Sequence, residues 1–167
     1  MTPQPESRSL AGHLIWTLRG GYAHDSFESL TAAIPPSDRG RRLPGMAHSA
    51  YQVVEHLRIC QRDLLDYTRC PDHQSPEFPG GLWPTDPEPA SCEAWDEACR
   101  GYLADRDELI LFLTSLTVDD LTDELPHIPP ATVLRQALIA IDHASYHLGQ
   151  LAVIAAVSSS EPDTQPA

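Results

Sequence analysis

Apolar residues recur at three- and four-residue steps in four stretches of the chain, and no stretch shows a strong two-residue strand pattern. The first predicted helix runs from Leu10 to Ile34 and ends at Pro35-Pro36. The Gly20-Gly21 pair in its middle costs helix stability unless a neighbour packs closely there. The second starts at Ser49, a residue type that caps helix N-termini, and runs to Thr68 before Pro71. Ala50, Val53, Val54, Leu57, Cys60, Leu64 and Leu65 form its apolar stripe. The third runs from Ser91 to Leu116 through Trp95, Ala98, Tyr102, Leu109, Phe112 and Leu113. Its start rests on Ser91 and on Pro87 and Pro89 before it, because Ala94 cannot complete a capping box. The fourth runs from Thr132 to Val157, with Leu134, Ala137, Leu138, Ile141, Ser145, Leu148, Ala152 and Ala155 in register. Four amphipathic helices predict an all-α protein, a four-helix bundle.

Residues 70–90, between the second and third predicted helices, hold six prolines together with Gly80, Gly81, Phe78 and Trp83. An irregular crossover of this length is uncommon in a compact domain, and its aromatic content predicts a packed cover over the bundle. A second loop, Val118 to Pro130, carries Asp119, Asp120, Asp123, Glu124 and His127. Residues 158–167 are polar and proline-containing, so a disordered tail is expected there, as it is for residues 1–9. The bundle is assigned to residues 10–157. A length of 167 residues suits one such domain.

Charge narrows the possible partners. With 11 basic and 24 acidic residues the formal charge is -13, which repels phosphate backbones and anionic lipid surfaces, so neither nucleic acid nor membrane is expected as a partner. No apolar run approaches the roughly 20 residues that span a bilayer, and the opening Met-Thr-Pro-Gln-Pro-Glu-Ser-Arg lacks the order of a signal peptide. A cytoplasmic location is expected. Cys60, Cys70, Cys92 and Cys99 show no Cys-x2-Cys spacing and read as buried fillers or free thiols.

The candidate chemistry is imidazole. His143 and His147 are four residues apart in the fourth predicted helix, on one face at the border of its apolar stripe, where both can reach one metal ion. His56 borders the stripe of the second helix, and two neighbouring helices can gather the three rings at one point. Three histidines with an open position is the arrangement of catalytic zinc, in which the open site takes water or substrate. Zinc or nickel stand first as the divalent ion, with iron or manganese as further candidates. Asp63, Asp142 and Tyr146 are candidates to orient the imidazoles or move protons. Cys60, one turn after His56, and His24, after the glycine pair, are candidate additional contacts. His48 reads as a capping or loop residue, and His13, His73 and His127 as surface residues.

Four segments resemble the DinB/YfiT-like superfamily of metal-binding bundles. They are residues 47–65 (Ala-His-Ser-Ala-Tyr-Gln-Val-Val-Glu-His-Leu-Arg-Ile-Cys-Gln-Arg-Asp-Leu-Leu), residues 70–76, Leu-Trp-Pro at 82–84, and residues 140–151 with Asp-His-Ala-Ser-Tyr-His-Leu-Gly-Gln. The resemblance spans roughly residues 8 to 157. It implies a four-helix bundle with a divalent metal on His56, His143 and His147, and a homodimer. Some relatives are S-transferases or isomerases that use low-molecular-weight thiols. Two functions therefore stand as expectations: a metal-dependent hydrolase or thiol S-transferase acting on a small molecule, or a non-catalytic, stress-related dimeric metal-binding bundle.

Overall fold

Hydroxyl side chains start the helices of this chain. Ser9, Ser26, Ser49, Ser91 and Thr117 each accept a hydrogen bond from the backbone N–H three residues on. Each satisfies one of the donors that a first helical turn leaves without a partner. At Ser49 the Gln52 side chain also takes the Ser49 N–H, completing a capping box. The computed structural model describes residues 9–21 and 23–160, and it is helical without strands among them. Six α-helices follow in order: α1 (Leu10–Arg19), α2 (Phe27–Ala33), α3 (Ala50–Arg69), α4 (Cys92–Thr114), α5 (Val118–Thr122) and α6 (Val133–Ser160).

The first predicted helix is corrected to two. Gly20 and Gly21 have φ of 66° and 85°, a left-handed backbone in which a helix cannot continue. The Gly20 N–H closes α1 on the Thr17 carbonyl, and Ser26 opens α2. The expected loop 118–130 begins instead with α5, whose capping box pairs Thr117 with Asp120. It ends in a single antiparallel bridge between Glu124 and Thr132. The last helix continues to Ser160, three residues past its expected end, while residues 1–8 and 161–167 of the expected tails lie outside the described residues.

Packing follows the apolar stripes. α3 lies against α4 and α6, α1 against α4, α5 and α6, and α2 against α6. One buried cluster joins Phe27, Ile34, Val53, Leu57, Trp95, Leu151 and Ile154; a second joins Leu14, Leu65, Leu109, Leu113, Leu121 and Ala137. Each fully buried side chain of this size contributes about 1.5–3 kcal/mol. Along α3, position 56 stands beside Leu57, the last buried residue of the first cluster on this helix before Leu65 of the second. Along α6, position 143 falls between Ala140 of the second and Leu148 of the first. The predicted histidines thus sit where the two clusters meet.

Gly101 lets α3 and α4 approach closely. A Cβ there would stand 2.6 Å from Cδ of Arg58, whose stem crosses the gap. Further along, Arg62 reaches Asp105 at 3.2 Å and Glu108 at 2.8 Å, and also pairs with Asp66 on its own helix. Such partly exposed pairs are each worth about 0–1 kcal/mol, so they set helix register more than stability.

Between α3 and α4 there is no α-helix, only a 3₁₀ turn at Gly80–Leu82. Three side chains on one face of α3 fasten this segment. The Ser49 hydroxyl donates to the Pro87 carbonyl, Gln52 Nε2 to the Pro84 carbonyl at 2.9 Å, and His56 Nδ1 to the Leu82 carbonyl at 2.8 Å. Their spacing of three and four residues is the helical period, so a single helix face holds the whole strap.

Candidate metal centre

His56 projects from α3 toward α6, where His143 and His147 stand one turn apart. The His56 and His143 Nε2 atoms are 3.0 Å apart. The His147 ring centroid lies 4.7 Å from that of His56 and 4.6 Å from that of His143, edge-on to both. His56 and His147 are buried, at 6% and 4% exposure.

Hydrogen bonds assign the tautomers. His56 Nδ1 donates to the Leu82 carbonyl, and His147 Nδ1 donates to Gln150 Oε1 at 2.8 Å. Neutral His56 and His147 therefore carry their free lone pairs on Nε2, the nitrogen left for the centre. Outer hydrogen bonds of this kind fix ring orientation in metal-ligating histidines. Burial, followed by the positive neighbours His147 and His48, pulls His56 down to about 4 even though its bond to Leu82 works the other way. Burial, then His147 and His56, lowers His143 to about 4, and burial also lowers His147. Near neutral pH the three rings are uncharged imidazoles, the form that binds metals.

Aromatic rings complete one wall. Trp83 stacks on His56 with centroids 3.7 Å apart and planes 3° from parallel, and His48 stacks on Trp83 at 3.7 Å. The His48–Trp83–His56 sandwich locks the His56 ring plane and shields it from water.

Cys60, one turn along α3, joins the donor cluster: ligand atoms of His56, Cys60 and His143 all lie within 4.8 Å of one another. Its sulfur is 3.5 Å from His56 Nδ1 and 3.8 Å from Nε2. Near-equal distances put it beside the ring rather than along either nitrogen's lone pair. Burial, aided by Asp63, pushes the thiol up to about 12, so it is protonated at neutral pH. The donor set suits a divalent ion, with neutral imidazole nitrogens gathered together and the Nδ1–H groups of His56 and His147 engaged.

A cavity of about 500 Å³ opens beside the cluster, lined by His56, Cys60, His143 and His147. Asp63 and Tyr146 also line it, and Asp63 Oδ1 accepts from His73 Nε2 at 2.7 Å. Asp142 is exposed on α6 and does not line the cavity. His24 lines a separate small recess with Arg19 and Ser145, its Nδ1 2.9 Å from the Asp25 carbonyl, so the structure does not bring it to the centre.

Three contributors were not read from the sequence as parts of the centre. His48 serves as a stacking partner rather than a cap, His73 as a partner of Asp63 rather than a free surface ring, and Gln150 as the hydrogen-bond acceptor for His147. Only Gln150, three residues after His147, had a local signal.

A family model described as the DinB superfamily matches residues 21–151, well over half of the chain. The chain belongs to the DinB superfamily. The match takes in α2 to α5 and α6 as far as Leu151, so all four donor residues of this DinB-superfamily chain fall inside it. No curated protein and no solved structure matches the chain. The His56, Cys60 and His143 group of this DinB-superfamily chain is one that could hold a metal ion. No helix among the described residues is long and apolar enough to cross a membrane.

Proposed function

We propose that this DinB-superfamily chain is a metal-dependent enzyme, a hydrolase or a thiol-dependent S-transferase, built on a four-helix bundle of the long helices with the proline-rich segment as its cover. His56, His143 and His147 hold the divalent ion, zinc or nickel before iron or manganese. The observation that carries the reading is the pair of Nε2 atoms 3.0 Å apart beside a cavity of about 500 Å³, which leaves room for a reactant next to the donors. A divalent ion there supplies Lewis acidity, making water or a thiol more acidic.

The chain's own groups supply the rest. The Leu82 carbonyl and Gln150 Oε1 aim the imidazoles, and Trp83 keeps water from one face of His56. Asp63, held by His73 at Oδ1, and Tyr146 stand in the cavity wall as groups able to accept or return a proton. A homodimer and a cytoplasmic location are part of the proposal.

The second reading, a non-catalytic metal-binding bundle, draws on Cys60, whose sulfur lies near enough to close the coordination shell. Cobalt(II) loading separates the two. Nitrogen and oxygen donors without a thiolate-to-cobalt absorption band, together with turnover of ester or thiol substrates that chelator abolishes, is the expected result. An intense thiolate band with no exchangeable position would favour the non-catalytic reading.

A further inference from the structure

The cavity beside the histidines is walled mainly by Leu64, Phe78, Leu82, Trp83, Ile139 and Tyr146. Phe78 is 82% exposed and Tyr146 65% exposed. Large apolar rings left in water at the edge of a cavity mark a surface that a bound group covers. Cationic groups, by contrast, are turned away. The chain has 11 arginines and no lysine, and among the described residues no arginine lines the cavity. Arg58 pairs with Glu55 and lies over Gly101, and Arg62 is spent on Asp66, Asp105 and Glu108 on the α4 side. Arg135, one turn before Ile139 on α6, is exposed and outside the lining. Among the described residues the one carboxylate in the wall is Asp63, and the whole chain carries a formal charge of -13. A carboxylate-bearing substrate would find neither a guanidinium to pair with nor a favourable field.

We propose that the cavity takes an uncharged, largely apolar substrate group, aromatic or branched aliphatic, that packs against Phe78 and Tyr146, and that it discriminates against carboxylate-bearing thiols. This rests on the metal-enzyme reading for the reaction but on the lining alone for the choice of ligand. It narrows the thiol branch to thiols without acidic arms, and the hydrolase branch to neutral esters or amides.

Calorimetric titration with naphthylmethanol and naphthoate, one ring with two charges, tests it on both the chelator-treated and the zinc-loaded protein. On the chelator-treated protein, where no ion draws the carboxylate, naphthylmethanol is expected to bind at least about tenfold more tightly. Phe78→Ser is expected to weaken that binding about tenfold at unchanged melting temperature, because a ring so exposed contributes little to the fold. Equal or tighter naphthoate binding overturns the proposal, as does absence of binding by either probe in a protein that still loads zinc. That second outcome leaves the metal reading standing. Preference for naphthylmethanol in a protein that takes up no zinc supports the cavity assignment while removing the enzyme reading. Should Phe78→Ser change the sedimentation of the protein and leave probe binding intact, the ring covers a second copy of the chain and the proposal fails.

Discussion

His56 Nε2 and His143 Nε2 stand 3.0 Å apart although 87 residues separate them in the chain. A buried and a half-buried imidazole do not approach so closely for packing alone. With His56 Nδ1–H given to the Leu82 carbonyl, the neutral pair can share one proton between the two Nε2 atoms, or both can turn lone pairs to an ion. Protonating both would put like charges together where burial already disfavours each one.

That arrangement sets a pH dependence. Burial is the main reason His56 and His143 are lowered from 6.5 to about 4. Between those values the unfolded chain binds protons that the folded chain does not. The stability contribution of neutral burial is therefore fully present above about 6.5 and is lost as pH falls toward about 4. Unfolding of chelator-treated protein by urea across this window should show stability rising with pH, more steeply in wild type than in His143→Gln. Equal slopes would contradict the burial of neutral rings.

Trp83 transmits order from the cover to the centre through its stack on His56. Trp83→Leu removes two stacked ring contacts and an edge contact with His147, and should cost about 1–3 kcal/mol of stability, from the aromatic pairs plus lost buried area. It should also speed proteolysis within residues 70–90 and hasten zinc loss to a chelator. Unchanged cleavage and zinc release would mean that the stack does not hold the cover.

Gln52 couples the start of α3 to the same segment. Its side chain takes the Ser49 N–H, donates to the Pro84 carbonyl and accepts from Arg42. Gln52→Ala leaves a buried N–H and a carbonyl without partners, at a cost of about 1–3 kcal/mol. Thermal unfolding checks the cost. Hydrogen exchange should localise the loosening to the first turn of α3 and residues 82–87; protection unchanged there would contradict the coupling.

The long helices were legible because their stripes are periodic, and His143 and His147 because a four-residue step on a helix fixes a shared face. His56 could be matched to them because it borders the stripe of a neighbouring helix. The break at Gly20-Gly21 was harder to place, since glycine permits a left-handed backbone without requiring one. The capping box of α5 was written in Thr117 and Asp120 but hidden among other acidic residues. The aromatic residues of the crossover suggested a packed cover, but its points of attachment were unreadable, because the acceptors are backbone carbonyls that every residue type offers. The Asp63–His73 contact likewise exists only once the chain has turned at Pro71. Cys60 was a candidate contact from its place one turn after His56, while its position beside the His56 ring depends on the rotamers of both.

The central claim is that His56, His143 and His147 hold one divalent ion. Elemental analysis of protein purified without chelator, beside His56→Ala, His143→Ala and His147→Ala with folding verified by circular dichroism, tests it most directly. The account predicts about one zinc- or nickel-class ion per wild-type chain, as for a single mononuclear site, and loss of most of it in each variant. A wild-type protein without metal, or folded variants that retain the wild-type content, would contradict it.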